Sequence, residues 1–263
     1  PGAILHADLC GPMPQQSMQG CRYAMPIIDE FSRFITVIFL PSKDRAAEEL
    51  LSYIKWVETR TGNRTKTIQT DNGGEFMSKG FQNELKSQGI SHQTTIPYTP
   101  QQNGVAERAN RTLLDRARTM MHHSGLPEKY WQYAMSVAAH ITNRVPTAAD
   151  DGKTPLELWT GEVPDLHYVR TFGCRAYGHI PDEKRKKFEP KAYPGIMLGY
   201  PDGQKGYLIE DEVSGRVISC RDVVFDESLQ PRRPKSTAPI DTECDLSPIE
   251  PRMTSKLDEE HSE

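Results

Sequence analysis

Thr70-Asp71-Asn72-Gly73-Gly74-Glu75-Phe76 decides the reading of this chain: it follows a short stretch, Lys66 to Thr70, that reads as a strand. The strand ends on an acid, Asp71, in a glycine-rich turn. Downstream, Pro100-Gln101-Gln102-Asn103-Gly104-Val105-Ala106-Glu107-Arg108 opens a helix, with 35 residues between Asp71 and Glu107. Upstream, Asp8 stands in Leu5-His6-Ala7-Asp8-Leu9-Cys10-Gly11-Pro12. Each of these three acids has a local setting that suits a metal-binding carboxylate.

Working outward, Ile4 to Leu9 alternates as a strand, with Leu5, Ala7 and Leu9 on one face and Asp8 on the other. Tyr23 to Ile28 and Phe34 to Leu40 read as two strands joined by the polar turn Asp29 to Arg33, an antiparallel hairpin. Ser42 is placed to cap a helix from about Lys43 to Thr59, with Ala46, Leu50, Ile54 and Val57 as its apolar seam and Gly62-Asn63 as its stop. A helix over Ser78 to Gln88 and a strand over Ser91 to Ile96 follow. Asn103 is placed to cap a long helix to about His122, on which Val105, Ala109, Leu113, Ala117 and Met121 form a seam that Glu107 points away from. Another helix is expected over Glu128 to Asn143.

After Pro146 the pattern changes to short β-rich runs with glycine turns: Arg170 to Ile180, Gly195 to Tyr200, Lys205 to Glu210 and Arg216 to Phe225. The expected organisation is an α/β core over residues 1–146, a connecting segment over 147–169, a small β-rich module over 170–225 and a disordered tail over 226–263. The 263 residues suffice for one α/β domain and such an appendage. The start, Pro1-Gly2-Ala3-Ile4, has neither initiator Met nor signal peptide, so the chain reads as a piece of something longer. No run approaches the ~20 apolar residues of a membrane span.

Five cysteines, widely spaced and without a Cys-x-x-Cys pair, argue against a disulfide framework or a zinc finger and for a reducing compartment. The net charge is −4, but residues 226–263 hold ten acidic against five basic residues, leaving +1 for residues 1–225. The acidic balance of the whole thus does not exclude a nucleic-acid ligand.

A lone Asp or Glu is ordinarily solvated surface, and Asp71-Asn72-Gly73 alone would be a turn signal. The combination carries the specificity. Cleavage of a phosphodiester with two divalent ions needs oxygen ligands that hold the pair ~3.5–4 Å apart, one ion for the attacking oxygen and one for the leaving oxygen. Three carboxylates on rigid elements meet that need.

The Asp, Asp, 35-residue gap, Glu pattern resembles the signature of retroviral-type integrases, and residues 1–225 resemble the integrase of copia-type long-terminal-repeat retrotransposons. Beyond the acids, the resemblance is carried by Ile28-Asp29-Glu30-Phe31-Ser32-Arg33, Thr154-Pro155-Leu156-Glu157-Leu158-Trp159, Phe172-Gly173-Cys174, Gly199-Tyr200, Lys205-Gly206-Tyr207 and Ser219 to Phe225. It implies a ribonuclease-H-like mixed five-stranded sheet with flanking helices. It also implies Asp8, Asp71 and Glu107 as ligands of two Mg²⁺ or Mn²⁺ ions, Asp8 bridging both and the other two completing one each.

The implied activity is trimming of the 3′ ends of element DNA followed by strand transfer into target DNA. The implied setting is a homo-oligomer acting in the nucleus after a cytoplasmic virus-like-particle stage. The alternative is an inactive or domesticated fragment that binds DNA or a protein, and a third is a stand-alone nuclease. The family's N-terminal His-His-Cys-Cys zinc domain is absent, and His122-His123 cannot replace it; these two read as a helix end.

Arg108, Arg111, Arg116 and Arg118 make the outer face of the Glu107 helix cationic, and Asn103, Arg108 and Arg111 are the candidate DNA contacts. Asn103 reads equally as a helix cap. Lys184-Arg185-Lys186-Lys187 is the densest basic cluster, read as a backbone contact, a nuclear localisation signal or a solvated turn. Asp29 reads as structural rather than as a fourth catalytic acid. The tail is expected to link to the next polyprotein unit or to meet a chromatin partner.

Overall fold

The computed structural model of the chain describes residues 1–94, 104–146 and 152–228. The alternating N-terminal run forms β1 (Ile4–Ala7), and the hairpin forms β2 (Tyr23–Asp29) and β3 (Ile35–Leu40). They are followed by α1 (Ala46–Thr61), β4 (Thr67–Thr70), α2 (Lys79–Ser87) and β5 (Ser91–Thr94). The strands lie in the order β3-β2-β1-β4-β5. β1–β2 and β2–β3 pair antiparallel, β1–β4 and β4–β5 in parallel, so the sheet is mixed.

Side-chain alternation gives this sheet two apolar faces. Leu5, Ala7, Met25, Ile27, Ile38, Leu40 and Ile68 pack with Leu50, Ile54 and Val57 of α1 and with Phe81 and Leu85 of α2. Ala24, Ile28, Ile35, Val37 and Phe39 face the other way, onto α3 (Gly104–Ser124) and α4 (Trp131–Thr142). Each fully buried Leu, Ile or Val here contributes about 1.5–3 kcal/mol over exposure. The expected α1 seam of Ala46, Leu50, Ile54 and Val57 is buried in full.

Gly62 stops α1 at φ 70°, a left-handed cap that disfavours any Cβ. Ser42, however, makes no side-chain capping bond; a 3-10 turn, Lys43–Arg45, intervenes between it and α1. On α3 the buried centre is Ala106, Asn110, Leu113 and Ala117, with Val105, Ala109 and Met121 at its margin. Leu113 and Ala117 are buried as expected, but before them the stripe runs through Ala106 and Asn110 in place of Val105 and Ala109, because 3.6-residue periodicity alternates steps of three and four, which a strict four-residue repeat does not follow.

Beyond the core, α5 (Pro155–Thr160), unread in the sequence, is capped by Thr154 Oγ1, which accepts from the Glu157 N–H at 3.1 Å. Its Trp159 stacks on Phe34 at a centroid separation of 5.1 Å. The β-rich segment forms β6 (Arg175–His179), β7 (Ala192–Gly199), β8 (Tyr207–Asp211), β9 (Val217–Cys220) and β10 (Val223–Asp226). They make one antiparallel sheet in the order β10-β6-β7-β8-β9. The run Arg216 to Phe225 is thus two strands, and the second extends to Asp226, into the stretch expected as tail.

Ile196 and Leu198 of β7 join the same apolar cluster as Ala134, Val137 and Ala138 of α4, so the β module is packed on the core. Cys10, Cys174 and Cys220 are free thiols. Among the described residues no helix is long and apolar enough to cross a membrane.

Candidate active site

β1 and β4 run parallel and end at the same edge of the sheet. Their register, Ile4↔Thr67, Leu5↔Ile68 and His6↔Gln69, continued two residues further, sets Asp8 beside Asp71. Both acids therefore leave the carboxyl ends of adjacent parallel strands, where an open α/β sheet offers a crevice. Alternation sends Asp8 to the face opposite Leu5 and Ala7, which is the α3 face.

On α3, Glu107 is exposed and Asn110, one turn later, is buried. Asn110 Nδ2 donates to Asp8 Oδ2 at 2.6 Å. Being acceptor-only when ionised, the carboxylate fixes the amide nitrogen toward itself, which leaves Asn110 Oδ1 buried without a hydrogen-bond partner. Asp71 is held differently. Its Oδ1 accepts the Gly73 N–H at 3.0 Å, an Asx turn that uses the glycine-rich sequence directly.

Asp8, Glu107, Asn110 and Arg111 line one open cleft of about 550 Å³, together with Leu9, Cys10, Gly11, Leu114, Asp115 and Arg118. Burial holds the Asp8 carboxyl above the usual carboxylate range. The Asn110 hydrogen bond opposes this, and the negative charges of Asp71 and Glu107 add to it. Asp71 and Glu107 are thus both near enough to act on Asp8 electrostatically. Burial and then Asp8 likewise push up the neighbouring Cys10 thiol. Among the described residues, however, no three His, Cys, Asp or Glu side chains stand close enough together to hold a metal ion.

The predicted DNA contacts separate. Arg111 lines the cleft, whereas Arg108 is exposed on α3 and is not among the cleft-lining residues. Asn103, with Gln101 and Gln102, lies outside the described residues. Arg116 turns to α4, donating from Nη1 to Thr142 Oγ1 at 2.5 Å, so it serves packing between helices. Arg118 reaches the cleft but is paired with Asp115 at 2.8 Å.

Asp29 is structural: 2% exposed, it accepts from Gly2 N–H, Ser32 N–H and the Ser32 hydroxyl. His122 and His123 occupy the last turn of α3. In the basic cluster, Arg185 pairs with Asp182 and the Lys186 N–H donates to Glu189, so part of it is an ordered turn.

Asn110 was missed in the sequence. The signal for it is its place three residues after Glu107, which sets both side chains on neighbouring positions of one helix face.

Residues 1–100 match the integrase core domain and residues 174–238 the retroviral polymerase SH3-like domain. The Retrovirus-related Pol polyprotein from transposon TNT 1-94 of Nicotiana tabacum is 40% identical over 225 residues, which are 86% of this chain and 17% of that protein. That from transposon RE2 of Arabidopsis thaliana is 33% identical over 218 residues, 83% of this chain and 15% of that protein. The chain therefore spans less than a fifth of the length of these relatives. A cryo-EM structure of the simian T-cell lymphotropic virus intasome in complex with PP2A regulatory subunit B56 gamma aligns with a TM-score of 0.50 at 23% identity, covering 88% of this chain and 80% of that one. That likeness shows a shared fold.

Proposed function

The chain belongs to the retroviral-type integrases of copia-type retrotransposon polyproteins, and on that premise we propose that it catalyses metal-dependent 3′-end trimming of element DNA and its strand transfer into target DNA. One observation carries this reading. Asp8 and Glu107 line a single cleft beside Arg111, with Asp71 close enough to raise the proton affinity of Asp8.

The donor set is one of hard carboxylate oxygens, which is the chemistry Mg²⁺ or Mn²⁺ demands. Asp8, Asp71 and Glu107 would hold the metal. When bound, a pair of divalent cations would polarise the scissile phosphate and lower the energy of charge on the attacking and leaving oxygens.

The protein's own groups do the rest. Asn110 orients the Asp8 carboxylate by donating to its Oδ2, and the Leu9 backbone also hydrogen-bonds to the carboxylate. Arg111, on the cleft wall, offers a guanidinium fork to a phosphate flanking the scissile bond. The attacking oxygen, from water in trimming and from a 3′-hydroxyl in transfer, forms a new bond to phosphorus as the opposite P–O bond breaks. The departing oxygen leaves with the strand and takes up a proton. No covalent protein intermediate is required.

Joining element DNA to chromosomal DNA places the action in the nucleus, and two element ends call for a homo-oligomer. The tail is kept as the attachment point for a chromatin partner.

A second reading, a DNA- or protein-binding module without chemistry, is favoured by the lack of three acids at ligand spacing among the described residues. Incubation of the chain with a branched DNA substrate and Mn²⁺ separates the two. Nicking that is lost in Asp71→Asn supports the proposal. DNA binding without nicking in either protein supports the binding module.

A further inference from the structure

Asp71 heads a turn whose two ends are tied together by a side chain from another element. At the start of the turn the Thr70 hydroxyl donates to the Asp71 carbonyl oxygen at 2.8 Å. At its end Gln82 Nε2, on α2, donates to the Phe76 carbonyl oxygen at 2.9 Å. Between them stands His92 of β5, with Nε2 2.9 Å from Thr70 Oγ1 and Nδ1 2.6 Å from Gln82 Nε2. Inside the turn, the Gly73 N–H reaches Asp71 Oδ1 and the Phe76 N–H reaches the Gly73 carbonyl.

The acceptors settle where the protons are. A carbonyl only accepts, so the Gln82 atom facing Phe76 O is the amide nitrogen and not the oxygen. The second hydrogen on that nitrogen points to His92 Nδ1, which must be the bare, accepting ring nitrogen. The ring proton then sits on Nε2 and goes to Thr70 Oγ1, whose own hydrogen goes to Asp71 O. Every donor is used once, and only the neutral Nε2–H tautomer completes the chain. Burial of the ring lowers its basicity in the same sense, and the Phe81 ring stands edge-on to it at 5.5 Å.

This relay lies away from the cleft. Thr70 is fully buried and follows Ile68 on the α2 side of the sheet, whereas Asp8 and Glu107 face α3. His92 is therefore built to act through Asp71 and not on DNA.

We propose that His92, through Thr70 and Gln82, is a positioning residue that holds the Asp71 turn in the shape that presents its carboxylate to the cleft. The catalytic part of this inference rests on the proposed strand-transfer chemistry. The positioning part does not.

The test uses the full chain and three readouts: imidazole ¹⁵N shifts, amide hydrogen exchange over residues 73–76, and strand transfer with Mg²⁺. The parent should show His92 protonated at Nε2 and bare at Nδ1. Thr70→Val, which keeps shape but loses the hydroxyl, should speed exchange of the Gly73 and Phe76 amides about tenfold with the global unfolding midpoint little changed. It should also lower kcat by about 10–100-fold with DNA affinity retained, and Thr70→Ser should restore both.

A ring protonated at Nδ1, or charged at neutral pH, overturns the proposal, as does unaltered exchange in Thr70→Val. Should Thr70→Val fail to fold, the parent's imidazole shifts decide alone. A parent that joins no DNA yet shows the expected tautomer and exchange refutes the activity and leaves the positioning intact.

Discussion

At the scale of single residues, Asp8 carries the most consequence. Its carboxyl titrates above the ordinary range because it is buried, and the charges of Asp71 and Glu107 push it further. Glu107→Gln in the metal-free protein should therefore lower the Asp8 pKa, and Asn110→Ala should raise it, since the amide donor favours the charged form. Carboxyl ¹³C titration by NMR reads both signs. For stability, a carboxylate raised above its unfolded value binds its proton more tightly in the folded state. Folding is then favoured at low pH and loses stability as pH rises from about 4 through the Asp8 titration. Asp8→Asn should flatten that slope and raise the thermal midpoint at neutral pH while abolishing activity; an unchanged slope in calorimetry would count against the burial of Asp8. The three acids could be proposed from the sequence because their spacing is a one-dimensional signal. Asn110 could not, because a neutral amide gains meaning only from the carboxylate that folding brings to it across the sheet.

At the scale of elements, the site depends on where α3 sits, and that is set by its buried stripe. Leu113→Ala should cost about 2–5 kcal/mol in denaturant unfolding, because Leu113 is fully buried between the sheet and α4. Ser78→Ala, which removes the oxygen accepting the Phe81 N–H at 3.3 Å, should cost only about 1 kcal/mol and loosen the start of α2. Equal costs for the two would contradict the packing described. Most elements could be read from periodicity and turn residues: the hairpin and the strand before Asp71 emerged within a residue, and α1 within three. The burial of Asn110 and the shape of α5 were illegible for a common reason. Both are decided by what lies opposite: Asn110 is buried because Asp8 accepts its amide, and α5 is anchored because Trp159 finds Phe34.

At the scale of the whole molecule, the β module and the α/β core share apolar packing through Ile196, Leu198 and α4, and a polar contact is buried between them. Both Glu210 carboxylate oxygens accept from the Tyr130 hydroxyl, at 2.9 and 2.7 Å, and burial raises the Glu210 pKa. Tyr130→Phe should cost about 1.5–3 kcal/mol at neutral pH and less in acid, where Glu210 is protonated and no longer needs a donor for its charge. With this shared packing, calorimetry should show one cooperative transition, and two resolved transitions would contradict it. The sequence announced a change of pattern after Pro146 but could not show that the two parts share a core, because packing between modules leaves no period in either. The proposed activity would draw on this whole arrangement, and one assay tests it most directly: strand transfer of a short labelled donor duplex into plasmid DNA with Mg²⁺ or Mn²⁺, parent against Glu107→Gln. Joined product from the parent, reduced by at least roughly 10²–10³-fold in the variant, is the predicted result. Equal joining by both proteins, or no joining by a parent that still binds the donor, would contradict the assignment of the carboxylates to polynucleotidyl transfer.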